Sequence, residues 1–306
     1  MDYIKLANGV ELPTIGFGPG ECGYSPKYNS NRHGVWSIPR RAYNKFVRRQ
    51  LQKRQYIVAI ASAIQQGFHL IDYSAAYGDG NLIHRGIQLS GLSRDKLTLT
   101  TRVSNRAQFQ GKEAVKEEFF LQLKGMQIDY IDILMFHWPV TDFYETTWQA
   151  MVELYQEGYV KTLGVANCHK HHLEKLFTLT EERPLINQFE IHPLFTQKKL
   201  IDYCKKNGIQ SEAYTPIARF DDRLVRLPVL HRIANKHHKS ILQVILRWHV
   251  QNHIIPIVRT LNKQHQKENF DIYDFSLSDA EIADIDNINI NARVRYDPDN
   301  CDFTIL

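Results

Sequence analysis

Short apolar runs recur along the chain at 12–18, 69–74, 97–103, 130–138, 162–168, 186–191, 210–216 and 254–259. Their length and bounding polar residues predict buried strands. Between them lie segments whose apolar residues follow helical spacing: 57–66, 111–125, 145–157, 171–179, 198–207 and 230–237, the last continuing to about 251. Gly67, Gly158 and Gly208 stand just past three of these segments, where a helix ends most easily on a residue without a Cβ. Strand-like runs alternating with helices predict parallel pairing, because each return to the sheet needs a crossover. Eight such units in about 250 residues favour a closed barrel over an open sheet. No G-x-G-x-x-G follows the first run, which also argues against the open form. Ahead of the barrel, 3–6 and 10–15 flank Asn8-Gly9, a strong hairpin signal. The expected fold is α/β, a (β/α)8 TIM barrel with an N-terminal β-hairpin and a long insertion after the first barrel strand.

Two segments break the rhythm. Residues 19–56 are too long for a strand-to-helix loop and carry Arg40-Arg41 and Arg48-Arg49. They read as a solvated insertion or a lid, and 40–54 fits a basic helix leading into 57–66. The stretch 290–306 reads as an irregular C-terminal loop. The expected organisation is one barrel domain over 1–306.

Composition agrees with a folded chain: 43% hydrophobic and 23% charged residues. The net charge of +5 suits an anionic small ligand and is weak support for nucleic acid. Cys22, Cys168, Cys204 and Cys301 are scattered without a CxxC pair, which fits a reduced, cytoplasmic compartment better than a disulfide framework. The first residues lack the pattern of a signal peptide, and no apolar run is long enough to span a membrane.

The chemistry gathers at the predicted strand ends, the face on which such barrels build their sites. The second run ends at Asp72 and leads to Tyr77. The third ends at Arg102, the fourth at His137 and the fifth at Ala166-Asn167. The sixth carries Gln188 and Glu190, the seventh Tyr214, and the eighth Arg259-Thr260. Singly, each reads as readily as a strand cap, a satisfied core histidine or a loop-anchoring amide. As a set at matched positions they predict one site.

With these residues in view, the chain resembles the aldo-keto reductases from the Asn8-Gly9 hairpin to Asn269. The resemblance rests on Ile71-Asp72-Tyr73-Ser74-Ala75-Ala76-Tyr77-Gly78, the block 130–139 with His137, Gly164-Val165-Ala166-Asn167, and Asn187-Gln188-Phe189-Glu190. It also draws on Ala213-Tyr214-Thr215-Pro216 and Leu246-Arg247-Trp248. It implies an NADPH-dependent reduction of an aldehyde or ketone, with Tyr77 as proton donor, His137 orienting the carbonyl, and Asp72 pairing with a cation that lowers the phenol's pKa. Asn167 and Gln188 would hold the nicotinamide carboxamide, and Tyr214 would stack on the ring, with Thr215 and Ile217 completing that wall. Arg259 and Thr260 would grip the 2′-phosphate, and Glu268 and Asn269 would contact the adenine. NADP(H) is therefore expected, with NAD(H) as the alternative. The partner is a small-molecule carbonyl substrate, and a monomer is the family pattern.

The chain departs from that pattern. The family's tetrad lysine is Arg102, the serine beside the carboxamide-binding Asn is Ala166, a threonine after the first strand is Pro19, and an acid after Tyr-Gly-Asn is Gly80; the assisting helical Arg aligns with His265. A rival reading follows from these changes: a weakened nicotinamide-binding barrel acting as a cofactor-sensing or scaffold subunit. A third is barrel chemistry without nicotinamide. The cluster of His169, His171 and His172 suggests metal ligation but lacks a carboxylate at ligand spacing, so no metal is expected. The basic 40–54 stretch lacks an aromatic platform for nucleic acid.

Overall fold

The computed structural model describes residues 2–22, 38–74 and 80–305, the side chains of 38–46 excepted. Tyr77 and part of the 19–56 insertion lie outside the described residues.

A hairpin of β1 (Tyr3–Lys5) and β2 (Glu11–Pro13) pairs antiparallel around Asn8-Gly9, with Gly9 at φ 86°. The run predicted as one strand at 12–18 thus serves two elements, because β3 (Gly16–Phe17) opens the barrel separately. The helices that follow are α1 (Ile38–Gln65), α2 (Gly80–Ser90), α3 (Asn105–Gln110), α4 (Lys112–Met126), α5 (Tyr144–Gln156) and α6 (Lys170–Leu176). They continue with α7 (Lys198–Lys206), α8 (Asp222–Val225), α9 (Pro228–His237), α10 (Ile241–Gln251), α11 (Lys263–Phe270) and α12 (Asp279–Asp286). Interleaved with them are β4 (Leu70–Asp72), β5 (Thr98–Val103), β6 (Ile131–Phe136), β7 (Val160–Ala166), β8 (Ile186–Glu190), β9 (Gln210–Tyr214) and β10 (Ile255–Val258). Strands β3 to β10 lie side by side in sequence order, all parallel, and β10 closes on β3. The expected (β/α)8 barrel with its hairpin is the observed one.

Alternation builds two cores. On β6, Ile133 and Met135 point into the barrel with Leu70, Ile186, Ile255 and Ile257, while Leu134 and Phe136 face the helices. Leu6 and Leu12 of the hairpin join the inner cluster, so the hairpin plugs the bottom. Closure at β3 needs small residues. A Cβ on Gly16 would stand 2.5 Å from Ile257 Cδ1.

The predicted helix ends hold: Gly67, Gly158 and Gly208 all have positive φ. Other readings change, and α3, α8, α11 and α12 are helices that the apolar spacing does not predict. The single helix expected over 230–251 is two, because His238 turns left-handed (φ 53°) and Ser240 starts α10 with a reciprocal cap to Gln243. Helix α2 was absent from the predicted set. Its Gly80 and Gly86 lower helix propensity, yet a Cβ at Gly86 would meet Ile60 Cγ2 at 2.6 Å, so packing against α1 requires glycine there. The basic 40–54 stretch does continue into the next helix, as α1. No described helix is long and apolar enough to cross a membrane.

Candidate functional site

The inward parity of the barrel explains which polar side chains meet. Two residues beyond inward Leu70 comes Asp72, beyond Met135 comes His137, beyond Ile186 comes Gln188, and beyond Ile257 comes Arg259. Each of these four strands therefore adds one polar residue above the same apolar layer. Together they line a cavity of about 960 Å³ at the C-terminal face. Asp72, Arg102, His137, Asn167, Gln188, Tyr214, Thr215, Ile217, Arg259, Thr260, Glu268 and Asn269 all stand in its wall. These catalytic and cofactor-binding candidates are thus brought to one place, whereas Glu190, also expected at a strand end, is wholly buried outside the cavity wall and accepts backbone N–H groups of the C-terminal tail. Tyr77 lies outside the described residues, five positions after Asp72.

At the floor, Arg102 is only 2% exposed. Its Nη2 donates to Asp72 Oδ1 at 2.6 Å and to Gln188 Oε1 at 2.7 Å, and its Nη1 donates to the Tyr73 carbonyl at 3.0 Å. Such a pair holds because breaking it would strand a charge in the core at about 3–5 kcal/mol. The guanidinium fork explains how one cation reaches three acceptors at the ends of two other strands, β4 and β8, which an ammonium would not do in the same plane.

Gln188 passes the network on. Its Nε2 donates to Glu212 Oε2 at 2.9 Å, as the register of β8 and β9 places the two side by side. Glu212 is fully buried, and its Oε1 has no hydrogen-bond partner among the described residues. Burial pushes its carboxyl up to about 7, the charge of Asp72 adding to the effect while the Gln188 bond and Arg102 oppose it. Glu212 is not among the residues expected at the site from sequence. The available signal was a lone acid two residues before Tyr214, on the inward parity of a predicted strand.

His137 is half-buried in the cavity wall. Desolvation pushes its imidazole down to about 3, and the charges of Arg102 and Arg295 act in the same direction. It is neutral at any ordinary pH. Asn167, in the left-handed region at φ 61°, donates from Nδ2 to the His137 carbonyl at 2.9 Å and accepts from Tyr214 Oη at 2.6 Å. Asn tolerates this backbone better than most residues, which accounts for its place at the end of β7. Beyond Tyr214 the chain stays unusual, with Thr215, Ala218, Arg219 and Phe220 all at positive φ.

The residues suit an extended, polar, phosphate-bearing cofactor. Thr215 Oγ1 and Asn269 Oδ1 are buried in the cavity wall without a hydrogen-bond partner among the described residues. Arg259 and Thr260 stand at the rim, and Gly20 (φ 64°) leaves room for the guanidinium, since a Cβ there would meet Arg259 Cζ at 2.5 Å. Two other cations line the cavity that the expected set did not include, Arg219 and Arg295. The tail that carries Arg295 also packs on the wall, the Phe303 ring lying tilted against that of Trp138 with centroids 6.4 Å apart.

The histidine cluster gains a carboxylate that local spacing did not show. Asp299, from the tail, meets His169 Nδ1 at 2.7 Å and His171 Nε2 at 3.3 Å. His171, His172 and Asp299 come within ligand reach of one another, as do His169, Asp297 and Asp299. However, His172 Nδ1 accepts the His169 backbone N–H, which leaves its hydrogen on Nε2, the atom turned to Asp299. The arrangement caps α6 and clasps the tail.

Comparison with known proteins places this site in a family. A sequence model described as the Aldo/keto reductase family matches residues 33–290. Glyoxal reductase of Bacillus subtilis (strain 168) is 36% identical over 298 residues, covering 97% of this chain and 96% of that protein. The crystal structure of MGS-M4, an aldo-keto reductase from a deep-sea metagenome library, superposes with a TM-score of 0.85 at 31% identity, covering 98% of this chain and 99% of that one. The Bombyx mori aldo-keto reductase AKR2E4, solved in complex with NADP, gives a TM-score of 0.82 at 28% identity over 97% of this chain and 96% of that one.

Proposed function

The chain belongs to the aldo/keto reductase family and is an NAD(P)H-dependent oxidoreductase of that kind, and from this premise we propose that it reduces a small aldehyde or ketone to the alcohol with NADPH, Tyr77 giving the proton. The observation that carries the reading is the Asp72–Arg102 pair set beside a neutral His137 in one cavity. When bound, the reduced nicotinamide supplies the hydride. Everything else is the work of side chains.

A free phenol titrates near ~10, too high to exchange its proton readily at neutral pH. A fixed cation at the cavity floor favours the phenolate and so brings Tyr77 closer to working pH. Arg102 supplies that charge without being able to give up its own proton. His137, being neutral, offers an N–H to the carbonyl oxygen and does not compete as an acid. Asn167 and Gln188 each retain an amide hydrogen beyond those in the bonds above, and these suit a carboxamide oxygen. The Tyr214 ring, pinned through its hydroxyl to Asn167, offers a flat wall for the nicotinamide. Thr215 and Ile217 extend that wall, Asn269 and Glu268 suit the adenine, and Arg259 with Thr260 suits the 2′-phosphate. That last pair favours NADPH over NADH.

The relative that reduces glyoxal makes glyoxal a suitable first substrate. Tyr77→Phe should lower turnover of NADPH with glyoxal by about 10²–10⁴-fold while leaving NADPH binding, read by fluorescence titration, unchanged. Retained turnover would reject Tyr77 as the acid. Running the same assay with NADH reads the cofactor preference.

A further inference from the structure

Among the cavity's cations, Arg295 has no role in the chemistry described so far. Arg102 is paired with Asp72 at the floor, and Arg259 stands at the end of β10, on the cofactor side. Arg295 comes from the C-terminal tail and lines the same cavity close enough for its charge to be felt by His137. It is half-buried, and no carboxylate pairs with it among the described residues. The ring of Tyr296 lies 5.6 Å from its Cζ. Its neighbour Arg293 has a structural place, over the Phe195 ring at 4.7 Å and within 3.9 Å of Asp297.

The tail is held in a way that fixes Arg295 in particular. Glu190, wholly buried on β8, accepts the backbone N–H of Val294 at 2.6 Å and of Arg295 at 3.0 Å, and pairs with His192 at 2.8 Å. Upstream, the N–H groups of Ile290 and Ala292 both donate to the Leu194 carbonyl. Downstream, Asp299 is clasped by His169 and His171. A buried carboxylate spent on two consecutive loop amides is a rigid mount, and a rigid mount lowers the ordering cost of whatever its side chain binds. A half-desolvated guanidinium with no counter-charge recognises a carboxylate by two parallel N–H bonds.

We propose that Arg295 is a specificity residue that binds an anionic group on the substrate, so that the preferred substrates are aldehydes or ketones bearing a carboxylate a short distance from the carbonyl. This rests on the reduction reading above and narrows its substrate class.

The test compares 4-formylbenzoate with 4-formylbenzamide, which share shape and reactive carbonyl but differ in charge. The wild-type enzyme with NADPH should show a kcat/KM ratio favouring the carboxylate by about 10- to 100-fold, carried mainly in KM. Arg295→Gln should collapse that ratio towards one, and Arg295→Lys should restore part of it. A ratio near one in the wild type, or an unchanged ratio in Arg295→Gln, overturns the proposal. If the wild type turns over neither compound, the reduction reading is what fails. Calorimetric titration of the same pair into the NADPH-loaded protein then still decides the anion site: carboxylate-selective binding lost in Arg295→Gln supports it, and binding indifferent to charge or to the substitution overturns it.

Discussion

At the scale of single residues, the floor of the cavity sets a charge problem that one carboxyl eases by holding its proton to higher pH than a free carboxyl does. Arg102 is already paired with Asp72, so an ionised Glu212 would lack a counter-charge of its own, consistent with a carboxyl raised from 4.5 to about 7. Raised in the folded state, such a group holds its proton more tightly there than in the unfolded chain. Its effect is then to lower stability as pH climbs from about 4.5 through 7, by on the order of 3 kcal/mol at full ionisation. Glu212→Gln keeps an acceptor for Gln188 and abolishes the titration. Urea melts at pH 5 and pH 8 should show the variant gaining on the wild type at the higher pH; a difference independent of pH would mean that Glu212 does not titrate in this range. The strand-end residues were legible because strand parity and a run's last residue can both be read from sequence. Glu212 left only the weaker signal of an acid at an inward position inside a strand, and Arg295 left none, because it stands in a tail whose path depends on Glu190, more than a hundred residues earlier.

At the scale of elements, the strands and the longer helices followed largely from apolar spacing, and one exception, α2, has a steric cause. Helix α2 contains Gly86, which spacing and propensity both count against a helix, while the close approach of Ile60 on α1 demands it. Gly86→Ala sets those effects against each other. The propensity gain is about 1 kcal/mol, whereas forcing a methyl to 2.6 Å from Ile60 Cγ2 costs about 1–3 kcal/mol. The net effect should be destabilising, read as a lower urea midpoint at unchanged m-value. A variant as stable as the wild type would show that α1 and α2 yield easily. The break between α9 and α10 was hidden for a different reason: its apolar spacing runs through, and only the left-handed His238 and the Ser240 cap interrupt it.

At the scale of the whole molecule, a hairpin plug, an apolar inner layer and a polar layer above it leave a single direction for chemistry, the C-terminal mouth. The fold was readable because alternating units permit few topologies. The mouth's substrate end was not, since it is finished by the tail. The reduction proposed for this mouth proceeds by direct hydride transfer to a carbonyl carbon. Its most direct test is to supply NADPH deuterated at one or the other C4 position and to analyse the alcohols formed from glyoxal and 4-formylbenzamide by mass spectrometry. One deuterium on the carbinol carbon from one label position, and none from the other, is the result expected; alcohol free of deuterium from both labels, or bound cofactor with no alcohol from either aldehyde, would contradict it.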